Sequence, residues 1–336
     1  MTDRHTAAES ARHTVAERAR HTAAESVEES RLTVALIAAA ALAWTAAMLW
    51  SARTTITGRI SAEMEVTSTA YALPGAVAAD LVAGAAVALL VLTLIGSRRT
   101  LGASLRFAVA TGAGLLVGVL SAIPIITINT AGSLYAIVGG TVAAAATIGG
   151  ALAGFRVPPV IAAGAAASVG VFVLGFVLNL FQAPVLELLG AGDTESSAKA
   201  AQWFSYGQAA LSGLAAGLIA YFMLRRHRRR VEGADVKWPL YALAGAGAGL
   251  VTVIGEILSR TAGSQVLELA GKVSEMDKLA QEILSTARLN SGLIVLFVGA
   301  MTAMLAVGRT LSPAAEDEDQ PQVNSSSSET AYHSNS

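Results

Sequence analysis

Cysteine is absent from all 336 residues, which excludes disulfides, thiol catalysis and cysteine-ligated zinc or iron–sulfur clusters. Charge is scarce too. Only 14% of residues are Asp, Glu, Lys or Arg and their signs cancel to −1, so no basic field attracts nucleic acid. The chain lacks a P-loop and therefore cannot power transport by itself; it also lacks the HExxH and GxSxG patterns of hydrolases. His5, His13 and His21 recur every eight residues, not at the i, i+4 spacing of helical metal ligands. These absences read as a protein that is not an enzyme and uses no cofactor and no metal.

What remains is apolar. Hydrophobic residues make up 54% of the chain, and they gather in runs of about 18 or more, the length a helix needs to cross a ~30 Å hydrocarbon core. The fold expected is all-α: a polytopic helical transmembrane bundle with spans at 32–50, 73–96, 107–128, 134–154, 159–180, 207–224, 239–258 and 291–308. Before it stands a polar arm, residues 1–31, with an octad that repeats from Arg4, Arg12 and Arg20. Eight residues drift about 80° per repeat on a helix, so no face accumulates. Span one is too long for a signal-peptide core and reads as a retained anchor. Residues 309–336, acidic and then serine-rich, cannot fold alone.

Orientation follows from lysine and arginine, which accumulate on the cytoplasmic side. With the N-terminus inside, cytoplasmic segments hold 16 of them and outside loops 7. The strongest marker is Arg225, Arg226, Arg228, Arg229 and Arg230, a cluster that either fixes topology or binds anionic headgroups. Both termini are thus expected in the cytoplasm. Arginine outnumbers lysine 19 to 4 and alanine and glycine abound, which points to a high-GC bacterium and its plasma membrane. Trp50, Trp203 and Trp238 fall at span ends, where indoles prefer to sit. Pro74, Pro158 with Pro159, and Pro239 are expected at or just before helix starts, and Pro124 inside span three is expected to kink it.

Two segments match: Val185-Leu186-Glu187-Leu188-Leu189-Gly190 and Val266-Leu267-Glu268-Leu269-Ala270-Gly271, 81 residues apart. Spans five–six and seven–eight therefore read as parallel copies of one hairpin. In the last outside loop, apolar residues from Val266 to Ala287 recur at spacings of three and four, which predicts one helix with a coiled-coil seam. Leu269, Val273, Met276, Ala280 and Ile283 on that seam are a candidate docking surface; the alternative is a helix lying on the outer membrane face. Within the spans, Gly114/Gly118, Gly150/Gly154, Gly213/Gly217 and Gly245/Gly247/Gly249 supply the close helix approaches that lipid-embedded bundles rely on.

Only two carboxylates lie within the spans, Asp80 and Glu256, and intramembrane acids default to a cavity or a partner. Both fall toward the outer side, as do Asn129 and Asn179. The four are a candidate outward-facing polar cavity; the alternative is that each reaches interfacial water. The function expected is a non-enzymatic component assisting envelope or membrane-complex assembly. Its partners would be the bilayer, other envelope or membrane proteins or a second copy, not nucleic acid. The runner-up is a solute or lipid transporter or permease subunit that uses the polar cavity.

Overall fold

A computed structural model of the protein describes residues 3–58, 62–96, 101–128, 133–230 and 237–309. The chain is a multi-pass helical membrane protein: among the described residues there are ten helices, no strand, and eight helices long and apolar enough to cross a membrane. In order they are α1 (Asp3–Thr57), α2 (Ala62–Gly96), α3 (Ala103–Ile126), α4 (Ser133–Ala153), α5 (Pro158–Leu180), α6 (Gln182–Leu188), α7 (Thr194–Arg230), α8 (Trp238–Thr261), α9 (Ser264–Val273) and α10 (Glu275–Gly308). All but α6 and α9 are spans. The polar arm continues into span one as a single helix, α1. Residues 310–336, most of the acidic tail, lie outside the described residues.

The helices form two halves. α1 to α4 pack on one another with α2 at their centre, and α5, α7, α8 and α10 make the second half; α2 and α1 join them by contacts to α8 and α5. The two opposite ends of the bundle can be named by what they carry. The arginine face bears the end of α7 with Arg225–Arg230, and the α9 face bears α6, α9 and the first turns of α7 and α10.

Each hairpin of the second half has the same order: a helix of 23 or 24 residues, a short helix, then a helix of 37 or 34. The two matched hexapeptides both start on the short helix, α6 or α9. Their burial differs. Val266 and Ala270 of α9 are wholly buried against α2 and α4, whereas no residue of α6, which packs chiefly on α5 and α7, is buried.

Several expected boundaries move. α2 begins at Ala62, so Pro74 stands inside the helix and not at its start; the turns on either side, with Leu73 at 1% and Val77 at 0% exposure, are held in the core. Pro158 and Pro239 do occupy first-turn positions, and Pro124 lies within α3. α7 and α10 run beyond the expected spans because their polar segments stay helical past the apolar run. At 1.5 Å per residue α10 is about 51 Å long, some 20 Å more than the hydrocarbon is thick.

Packing relies on small residues. α2 and α4 approach so closely that a Cβ on Gly149 would fall 1.9 Å from the Leu81 carbonyl oxygen, and one on Gly84 2.0 Å from that of Ala146. Similar approaches join α8 to α10 at Gly245 and Gly299. Backbone contact of this kind replaces the hydrophobic drive that hydrocarbon cannot supply. Polar clasps close the ends: Arg53 Nη1 donates to the Pro124 carbonyl at 2.6 Å on the α9 face, and Arg226 and Arg230 both pair with Glu29 on the arginine face.

Candidate functional site

Glu256 is placed near the end of α8, about 27 Å along the helix from Trp238 at 1.5 Å per residue, which puts it close to one hydrocarbon boundary. It is 3% exposed. A carboxylate this buried needs partners, and three converge on it. Arg288 of α10 donates from Nε to Oε2 at 2.9 Å; Arg260, one turn along α8, lies with Nε 3.2 Å from Oε1. Ser285 of α10 donates its hydroxyl to Oε1 and accepts from Arg260 Nε at 2.8 Å. The acid is thereby saturated and its charge matched, so it is a clamp between α8 and α10 and not a free base.

Beside the clamp opens a cleft of about 670 Å³ between the end of α8, α9 and the first turns of α10, with Pro74 of α2 in its wall. Its lining holds four cations (Arg260, Lys272, Lys278, Arg288) and three acids (Glu256, Glu268, Glu282). Gln281 adds a side-chain nitrogen that is buried without a hydrogen-bond partner among the described residues. Since Glu256 is consumed by two arginines, the lysines and the other two carboxylates face the cleft with no ion pair among the described residues. The cleft suits a polar ligand carrying both signs.

The three polar-cavity residues that are described, Asp80, Asn179 and Glu256, are dispersed. Of these three, Glu256 lines this cleft. Asp80 is fully buried in the α2 core, beside the Ser121 hydroxyl of α3, and neither of its oxygens meets hydrogen-bond geometry with a group among the described residues. Asn179 is exposed in the last turn of α5, and Asn129 lies outside the described residues. They separate because similar depth on different helices does not bring side chains together.

The predicted seam is two helices, not one. Ser274 adopts extended backbone and caps α10, accepting from the Asp277 N–H, so α9 and α10 meet at an angle instead of continuing. Leu269 on α9 is 39% exposed, while Met276, Leu279 and Ile283 on α10 are 75%, 52% and 60% exposed and share one flank with half-buried Ala280. The side chain of Val273 lies outside the described residues. A comparable polar start occurs on α7, where the Ser196 N–H donates to Asp193 Oδ1 at 2.8 Å and holds that carboxyl below the usual carboxylate range.

The arginine cluster ends α7, where cations oppose the helix dipole favourably. Arg226 and Arg230 are engaged by Glu29, and Arg225 stacks over the Tyr221 ring at 5.6 Å.

The roles of Arg260 and Arg288 had been hidden in a loop count. Glu256 and Arg260 stand at i, i+4, the one sequence signal for the clamp; Arg288 is brought in only by the α8–α10 hairpin. At the same level of the other hairpin, Gln208 of α7 reaches the Gly175 carbonyl of α5 at 3.5 Å. Compared with protein-family models, curated proteins and solved structures, the chain finds no match.

Proposed function

We propose that this chain is a non-enzymatic component of a bacterial plasma membrane, both termini cytoplasmic, that docks a partner protein on its α9 face during assembly of an envelope or membrane complex. The observation that carries the reading is the start of α10. Its first 13 or so residues exceed what the ~30 Å hydrocarbon can hold, yet they show an exposed apolar flank, Met276, Leu279 and Ile283, beside a cleft of mixed charge. An apolar anchor next to a charged rim is the make-up of protein interfaces. The lysine and arginine asymmetry supports a reading in which the α9 face is outside. The transporter alternative needed Asp80 and Glu256 in one cavity, and Asp80 is not in the wall of the cleft that Glu256 lines.

A photo-crosslinking side chain at Ile283 or Met276, activated in native membranes, is expected to give discrete protein adducts. The same probe at Leu305, 62% exposed within span α10, is expected to capture lipid alone. Absence of protein adducts from both α10 positions would remove the docking role.

A further inference from the structure

Between the two halves, α2, α5 and α8 enclose a second cavity of about 440 Å³, within the size range of small-molecule sites, ~300–1,000 Å³. It extends along α8 from Leu243 to Ile254, about 16 Å at 1.5 Å per residue, the direction in which lipid chains run. Leu81 and Val82 of α2 form one wall and Val160 and Ile161 of α5 another. Its floor is deep because α5 and α8 touch there through glycine: a Cβ on Gly247 would fall 2.7 Å from the Gly164 Cα.

Among its described walls the lining is apolar with one exception, Arg156. That residue sits in the turn between α4 and α5 on the arginine face, at the end of two spans and hence at headgroup level. It is exposed and enters no ion pair among the described residues. The turn is held in place: Arg106 of α3 donates from Nη2 to the Phe155 carbonyl at 3.0 Å, and the Phe155 ring meets Phe107 edge-on at 6.3 Å. A second cation therefore stands beside the first, with its Nε buried and without a hydrogen-bond partner among the described residues.

We infer that this groove binds one anionic phospholipid, an acyl chain lying between the two halves and the phosphate held by Arg156 with Arg106 behind it. An apolar slot open to a bilayer is filled by a chain of some kind. The unpaired arginine at its mouth selects a headgroup with net negative charge, since a guanidinium presents a fork matched to phosphate oxygens and a zwitterionic lipid cancels part of the attraction. The site does not depend on which face is cytoplasmic, nor on the docking role proposed above.

The test uses full-length protein reconstituted in vesicles of equal parts phosphatidylglycerol and phosphatidylcholine, released and weighed by native mass spectrometry with its retained lipid. Wild type is expected to keep one phosphatidylglycerol. Arg156→Glu is expected to lower that retention about tenfold, the order of one cation's attraction lost and a repulsion gained. Arg156→Lys should keep most of it. Arg309→Glu, at the end of α10 on the same face and outside the groove's lining, should leave it unchanged. Equal retention of the two lipids by wild type, no retained lipid, or equal losses in Arg156→Glu and Arg309→Glu would each overturn the assignment.

Discussion

Replacing both Arg260 and Arg288 by methionine is expected to destabilise the protein by about 3 kcal/mol or more, the cost of leaving a buried carboxylate without its cations. Glu256 is 3% exposed, while the arginine side chains are 42% and 33% exposed. That asymmetry decides which partner is dangerous to remove. If Glu256→Gln takes the acid away instead, the guanidiniums can turn to water and the amide oxygen still accepts from them, so the cost falls to about 1 kcal/mol. Adding Glu256→Gln to the double methionine variant is then expected to restore most of the lost stability, because the uncompensated charge is gone. Reversible unfolding in detergent, followed for all combinations, measures each corner of this cycle. A double methionine variant no less stable than Glu256→Gln would show that Glu256 is not desolvated and that the clamp is a surface contact.

The second large effect is expected at the closest helix approach. Gly149→Ala adds a single Cβ, but that atom would fall 1.9 Å from the Leu81 carbonyl oxygen and 3.0 Å from the Ala85 nitrogen. Both are backbone atoms, so no rotamer change relieves the overlap, and α4 must move away from α2, the most buried of the spans. A cost of about 3 kcal/mol follows, the upper range of overpacking. Gly140→Ala, on the same helix but with nothing within 4 Å of its Cβ, is expected to be neutral or to stabilise by up to about 1 kcal/mol through helix propensity. Thermal stability of the two variants in one detergent separates a close-packed interface from a general intolerance of change in α4. Equal melting temperatures would contradict the α2–α4 geometry.

Much of the fold was legible because lipid imposes a simple rule: a span must be apolar for about 18 residues, and the eight runs that satisfy it are the eight span helices. The shared order of the two hairpins was legible too, since the matched hexapeptides start on corresponding short helices, α6 and α9. Helix ends were less so. Hydropathy stops where the hydrocarbon stops, whereas α2, α7 and α10 continue into polar sequence that hydropathy does not register. The seam failed for a local reason: apolar spacing of three and four persists across Ser274, but a capping hydroxyl followed three residues on by an acid starts a new helix there.

The site was legible only in part. A lone carboxylate inside a span marked Glu256 as unusual, and Arg260 four residues on was its natural partner. Arg288 was not to be found by spacing, being 32 residues away and placed by the packing of α10 on α8. The cleft itself has no sequence signature, because its walls come from four helices, and the break at Ser274 separates two of them.

The central claim is that the α9 face, with the start of α10, stands outside the membrane and opposite the arginine face. Because the chain has no cysteine, any one introduced is the sole thiol. Ile283→Cys and Arg229→Cys, each exposed to a membrane-impermeant maleimide in intact cells, test the claim directly. The account predicts immediate labelling at position 283 and labelling at 229 only after permeabilisation. Labelling at 229 in intact cells, or none at 283 before or after permeabilisation, would contradict it.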